Sequence, residues 1–253
     1  MTNIYHVAFS EYEGIVSLFF ISCNFRCKGC TMKITPWNFY LPDNVRFKLG
    51  SPDNTKTLDL FELENLLKPL NIKHAVVGCC GEPTIDNDLI DIIRILKKLK
   101  VNSILLLTNG YNLDEDMIKE LKNAGVGEVE VSIKAYTDDI HIYYTGVSNK
   151  RVLENFKLLW DMGVKLRCET VLIPKLVEVD EIEKIAKFIA SVNSSIPYRI
   201  DKYTRVPGTP WREATFAEVL EAVRVAKKYL TNVSYAKSGP PIYKVSTIYP
   251  KPS

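Results

Sequence analysis

The stretch EVEVSIK, residues 128–134, decides what kind of sheet this chain builds. Successive side chains of a strand point to opposite faces, so Glu128, Glu130, Ser132 and Lys134 share one face and Val129, Val131 and Ile133 the other. A parallel strand covered by helices on both faces would read as a continuous apolar run. The next strand-like stretch, KLRCETVLIP (165–174), repeats the alternation, with Lys165, Arg167 and Glu169 opposite Leu166, Cys168 and Thr170. PYRIDKYT (197–204) then sets Arg199, Asp201 and Tyr203 together. If the apolar sides meet helices, the polar sides line a barrel interior. Unpaired charge there is costly, so such a lining binds something polar. The alternative is a sheet edge that faces solvent.

Outward from these strands, apolar runs bounded by turn residues alternate with amphipathic stretches. IVSLFFIS (15–22), HAVVGCC (74–80) and SILLLT (103–108) read as earlier strands. Helical spacing is read over 58–70, 87–100, 114–125, 149–163, 178–192 and 215–230; the second of these puts Leu89, Ile92, Ile93 and Leu96 on one face. Six βα units in series predict an α/β fold, a partial (βα)6 TIM-like barrel with parallel strands. One domain is expected over 1–253, with a barrel core at about 14–210 and a C-terminal helix and Pro- and Tyr-rich tail over 211–253. An open Rossmann-type sheet is the alternative, weakened because no Gly-x-Gly-x-x-Gly follows the first strand.

Composition sets wide bounds. The 253 residues are 46% hydrophobic and 25% charged, as in ordinary globular proteins. A formal charge of +3 permits an anionic partner but gives no indication of nucleic acid. The N-terminal residues MTNIYHVAFSEYEG lack a secretory pattern, and the run IVSLFFI falls far short of the roughly 20 residues that span a bilayer. No membrane partner and a cytoplasmic location are therefore expected. In a reducing compartment, six cysteines read as metal ligands or buried hydrophobes rather than a disulfide framework.

Three of the six stand together in FFISCNFRCKGCTMK (19–33), as Cys23, Cys27 and Cys30. A structural zinc site takes four protein ligands and a disulfide two. Three thiolates suggest a metal centre with one open position. An iron–sulfur cluster held by three cysteines leaves one iron free for a substrate or cofactor. Three further elements fall at strand ends, where barrel enzymes place their chemistry: CCGEPT (79–84), TNG (108–110) and SIK (132–134).

With Cys-x3-Cys-x2-Cys after the first strand, these elements in this order strongly resemble the radical S-adenosylmethionine (SAM) enzymes over about residues 14–210. Within that superfamily the segment IKAYTDDIHIYYTGVSNKRVLENFKLL (133–159) is most similar to the activating enzymes of glycyl-radical enzymes such as pyruvate formate-lyase. The resemblance implies an anaerobic oxidoreductase with a [4Fe–4S] cluster on Cys23, Cys27 and Cys30. It also implies SAM on the open iron and reductive cleavage to a 5′-deoxyadenosyl radical that abstracts hydrogen. It places SAM against Gly29, Cys80, Gly81, Glu82, Pro83, Thr108, Asn109, Ser132, Lys134 and Arg167. Glu82 and its backbone would meet the SAM amino group, and Lys134, with Arg167, the carboxylate. The implied partners are a low-potential electron donor of flavodoxin or ferredoxin type and an unknown substrate, which a glycyl-radical protein would fit.

The chain departs from the activating enzymes at several positions. Gly29 replaces the aromatic residue that flanks the adenine, Leu107 an Asp before Thr-Asn-Gly, Ser132 the Asp of Asp-Leu-Lys, and Glu169 an Arg. Radical modification of a small metabolite, RNA or another protein is the enzymatic alternative, and an iron–sulfur electron-transfer or metal-binding protein the non-enzymatic one. Cys79, Cys80 and Cys168 do not make a second cluster motif. Cys79 and Cys168 read as buried hydrophobes. His141 reads as a structural histidine on a loop, with a catalytic role as the alternative. Residues 31–57, long for a loop, contain Trp37, Phe39, Tyr40 and a short strand expected at VRFKL (45–49). The functional reading makes this segment a cover that supplies the aromatic contact Gly29 lacks.

Overall fold

The computed structural model describes residues 1–236 and 244–252. Its strands are β1 (Ile4–Ser10), β2 (Ile15–Phe20), β3 (His74–Val77), β4 (Ser103–Thr108), β5 (Glu128–Ser132), β6 (Leu166–Leu172), β7 (Tyr198–Lys202), β8 (Val233–Tyr235) and β9 (Val245–Tyr249). They form one nine-stranded sheet in the order β8-β7-β6-β5-β4-β3-β2-β1-β9. From β2 to β8 every neighbouring pair is parallel, while β1 runs antiparallel to both β2 and β9. The ends of the order, β8 and β9, do not pair with each other, so the barrel is partial.

The helices are α1 (Asp43–Leu49), α2 (Leu60–Leu67), α3 (Leu89–Lys98), α4 (Glu115–Ala124), α5 (Asp138–Thr145), α6 (Lys150–Asp161), α7 (Val179–Val192) and α8 (Phe216–Ala226). Local chemistry fixes several boundaries. Asp59 and Glu62 close a capping box at the start of α2, and Thr215 and Glu218 another at the start of α8. Gly125 ends α4 at φ 105°, a left-handed position that suits glycine.

Alternation separates the two faces of the sheet. Val129, Val131, Leu166, Cys168, Tyr198 and Ile200 are buried in the main core with Ile92, Ile93, Phe156, Ile182 and Ile185 of the helices. The opposite face carries Glu128, Glu130, Arg167, Arg199 and Asp201, which are joined by ion pairs, and Glu169, which pairs with Lys134. The polar sides therefore face the barrel interior and not an exposed edge. A second, smaller apolar cluster of Tyr5, Ala8, Phe19, Trp37 and Leu41 covers the inner side of β1 and β2.

Three local expectations change. The strand expected at VRFKL is part of helix α1, because Val45 and Leu49, four residues apart, both turn onto the smaller cluster. The edge of β1 that a strand there would need is taken by β9. The loop expected around His141 is helix α5, and β1 was absent from the βα series because its seven residues, buried throughout, belong to a hairpin and not to a βα unit. The predicted tail holds β8 and β9, and its residues 237–243 and 253 lie outside the described residues. No helix among the described residues is long and apolar enough to cross a membrane.

Candidate active site

The cysteine loop leaves the end of β2 and is tied to the C-terminal end of α5. Arg26 N donates to Thr145 O at 2.8 Å and Lys28 N to Tyr144 O at 2.9 Å. Phe25 is buried edge-on to both Tyr111 and His141, with ring centroids 5.9 and 5.5 Å away. His141 is itself fully buried, and its Nδ1 lies 2.7 Å from Val147 O. Burial lowers its pKa, so the neutral imidazole acts as packing under the loop.

Cys23, Cys27 and Cys30 are partly exposed and none is in a disulfide. The Phe25 N–H points at Cys23 Sγ from 3.4 Å, and Asn109 Nδ2 lies 3.9 Å from the same sulfur. Burial pushes the Cys27 thiol up to about 12, opposed by the nearby Lys134 ammonium and reinforced by Cys30 and Cys23. The three thiols therefore share one electrostatic neighbourhood with Lys134. Among the described residues, no three His, Cys, Asp or Glu side chains are grouped as ligands of a single metal ion. A cube that uses a different iron for each thiolate needs its ligands farther apart than one ion does. The donor set fits a cluster held by three thiolates.

The end of β3 supports this loop from below. A Cβ on Gly81 would stand 2.1 Å from Phe20 O, so only glycine permits this approach of the two strand ends. Pro83 opens a short turn that Glu82 caps. Burial raises the Glu82 carboxyl, opposed by the hydrogen bonds it accepts. Its Oε1 accepts from Thr84 N, Thr84 Oγ1 and Thr108 Oγ1 at 3.1, 2.6 and 2.7 Å. Oε2 accepts from Asn109 N at 2.6 Å, and the side chain of Asn109 reaches Asn24 Oδ1 at 2.6 Å. At 1% exposure, Glu82 is a staple between the ends of β3 and β4. Four donors already serve this carboxylate, three on Oε1 and one on Oε2. Cys80 is partly exposed and within electrostatic reach of Cys30 and Cys23.

On the facing strands, Lys134 Nζ lies 3.8 Å from Glu169 Oε2, to which Ser132 Oγ donates at 2.6 Å. Burial by itself would lower the Lys134 pKa and raise that of Glu169. Their mutual attraction reverses both, leaving an ammonium and a carboxylate. Arg167 lies deeper, two residues before Glu169 on β6, with Nη2 2.8 Å from Glu128 and Nε 3.4 Å from Glu130. Arg199 joins the same ladder, 3.2 Å from Glu130 and 3.0 Å from Asp201. Lys134 is thus within electrostatic reach of the thiols, while Arg167 is engaged lower in the barrel.

Gly29 is crowded by Tyr144 and Tyr203, whose nearest atoms would each lie 3.0 Å from a Cβ placed there. The atoms nearest Gly29 belong to these two tyrosines and not to the 31–57 segment. Trp37 is buried against Tyr5 and His6 with Nε1 bonded to Gly50 O at 3.0 Å, and Phe39 and Tyr40 are exposed. Alternation on β7 already set Tyr203 on the inner face. Nothing local in the sequence marked Tyr144.

Comparison with known proteins places the chain. A family model described as the radical SAM superfamily matches residues 18–189. A Methanocaldococcus jannaschii protein with the provisional name of glycyl-radical enzyme activating enzyme is 35% identical over 236 residues, 91% of this chain and 83% of that protein. The GTP 3′,8-cyclase of Helicobacter pylori is 32% identical over 70% of this chain, which spans 51% of the cyclase. Among solved structures, Streptococcus suis SuiB bound to S-adenosylmethionine aligns with TM-score 0.63 at 16% identity, over 86% of this chain and 48% of that one. A domain of a pyruvate-formate lyase-activating enzyme from Bacteroides vulgatus gives TM-score 0.55 at 15% identity, over 63% of this chain and 96% of the domain. These structural likenesses establish the fold, the partial barrel. The chain belongs to the radical SAM superfamily, enzymes of radical chemistry that use a [4Fe–4S] cluster and SAM.

Proposed function

We propose that this enzyme reductively cleaves SAM for hydrogen abstraction and that its substrate is the glycine of a glycyl-radical protein. The carrying observation is a single loop with three partly exposed cysteines outside any disulfide, together with the Lys134–Glu169 ion pair just past β5 and on β6. When bound, the cluster and SAM supply methionine and a 5′-deoxyadenosyl radical. Cys23, Cys27 and Cys30 would anchor the cluster, and Lys134 would hold a carboxylate beside it. The staple of Glu82, Thr108 and Asn109 would keep the two loops in register. A low-potential flavodoxin or ferredoxin would deliver the electron. The similarity to the M. jannaschii relative, over most of both chains, favours the glycyl-radical substrate.

A second reading, attack on a small polar metabolite, is favoured by the half-buried ladder of Glu128, Arg167, Glu130, Arg199 and Asp201. Anaerobic turnover with a strong reductant separates the readings. Both require 5′-deoxyadenosine and methionine. A glycine-centred radical on a candidate partner, seen by electron paramagnetic resonance, supports the first. Deuterium passing from a labelled metabolite into deoxyadenosine supports the second. A loaded cluster that never yields deoxyadenosine sinks both.

A further inference from the structure

Asn109 directly follows β4 and is 6% exposed. Its N–H donates to Glu82 Oε2 at 2.6 Å, and its Oδ1 accepts from Tyr111 N at 3.0 Å. With the backbone and the carbonyl held in this way, the direction of the side-chain NH2 is set. That nitrogen lies 2.6 Å from Asn24 Oδ1 and 3.9 Å from Cys23 Sγ, a long contact that suits the larger radius of sulfur. The amide therefore turns its two hydrogens onto adjacent residues of the cysteine loop.

The three thiols of that loop are not served alike. Cys23 Sγ also receives the Phe25 N–H from 3.4 Å. Among the described residues, Cys23 is the one of the three to which a side-chain amide is directed. Asn24 Oδ1 stands 3.9 Å from the same sulfur and would oppose a thiolate there as a bare acceptor. By donating to that oxygen, Asn109 offsets the opposing dipole. N–H groups directed at a ligating sulfur draw on its negative charge, which favours the more negative, reduced state of an iron–sulfur cluster.

Resting on the reading that Cys23, Cys27 and Cys30 hold a [4Fe–4S] cluster, we propose that Asn109 is a positioning residue that raises the reduction potential of that cluster. It acts through Cys23, by its contact with Sγ and by its hold on Asn24. Glu82 fixes the Asn109 backbone, so the end of β3 acts on the cysteine loop by way of β4. The step affected is the one-electron reduction of the cluster from the 2+ to the 1+ state, in which no protein bond forms or breaks.

The midpoint potential of anaerobically reconstituted protein, measured without SAM, tests this. Dithionite sets the potential, and electron paramagnetic resonance counts the reduced cluster. Asn109→Leu removes the amide and adds no charge. At the wild-type midpoint its ratio of reduced to oxidised cluster should fall about tenfold, a shift of about 59 mV to lower potential. Thr84→Val removes a 2.6 Å hydrogen bond from Oε1 of Glu82, the oxygen that does not hold Asn109. It should keep the wild-type potential even where stability falls. Should Asn109→Leu lose iron, Asn109→Asp, of the same shape with an oxygen in place of the NH2, should retain it and shift in the same direction. A wild-type midpoint in the Asn109 variant that keeps iron overturns the proposal, and so does an equal shift in Thr84→Val. Loss of iron from both Asn109 variants overturns it too, since Asn109 would then serve only to build the loop. Wild-type protein that takes up no iron fails the parent reading.

Discussion

A Cβ on Gly29 would stand 3.0 Å from the Tyr144 hydroxyl, so this glycine and this tyrosine fill one space between them. Tyr144 is 5% exposed, and Tyr203, on the other side, is tied through its hydroxyl to Thr209 Oγ1 at 2.9 Å. Neither ring has room to retreat. Gly29→Tyr, which restores the aromatic type of the activating enzymes, should therefore overpack the loop and destabilise the protein by about 1–3 kcal/mol. Adding Tyr144→Ala should recover part of that loss. Urea denaturation of the two single variants and the double variant gives the coupling. Additive losses would show that the two side chains do not compete for one volume.

The cluster should depend on three cysteines and no others. Reconstituted protein is expected to hold about four irons, and Cys23→Ala, Cys27→Ala or Cys30→Ala to abolish the cluster, because each supplies one of three anchors. Cys168, fully buried in the main core, should be replaceable by Ala with iron retained. Iron analysis and the visible absorption of the cluster read the outcome. Equal iron loss in Cys168→Ala would require a four-ligand site.

The staple at Glu82 should be visible as stability. Thr108→Val keeps the shape of the side chain but removes the 2.7 Å hydrogen bond to Glu82 Oε1, leaving a buried acceptor less satisfied. The expected loss is about 1–3 kcal/mol. A thermal midpoint equal to wild type would mean that Thr84 and Asn109 suffice to hold the carboxylate.

His6 should make stability depend on pH. Its ring is fully buried beside Phe19 and Trp37, with Nδ1 2.7 Å from Tyr249 O and no partner at Nε2. Burial lowers its pKa from the ordinary 6.5 to about 4, against the raising effect of the Tyr249 carbonyl. Between those values the unfolded chain binds a proton that the folded chain does not. The stabilising contribution is therefore complete above 6.5 and is lost as pH falls toward 4, about 3 kcal/mol in all. Denaturation midpoints of wild type and His6→Phe, compared across this range, should diverge with falling pH to the disadvantage of wild type. Parallel curves would place a neighbouring group at the origin of the effect.

Local pattern was enough for what depends on one strand or one loop. The two-residue alternation of EVEVSIK and its successors set Glu130, Arg167, Arg199 and Glu169 on one face, and the ion pairs found there follow from that face being turned inward. Cys23, Cys27 and Cys30 were legible because their spacing within one loop is itself the motif. Contacts between distant segments were not legible. Position along the chain does not say that Glu82 meets Thr108 and Asn109, which sit on the next strand 26 and 27 residues away. Nor does it say that Tyr144 fills the place beside Gly29, or that Val45 and Leu49 turn a would-be strand into a helix. Periodicity records which way a side chain points. What it meets there, and whether a carboxylate remains open to a ligand or is closed by its neighbours, is decided only when the strand ends are brought together.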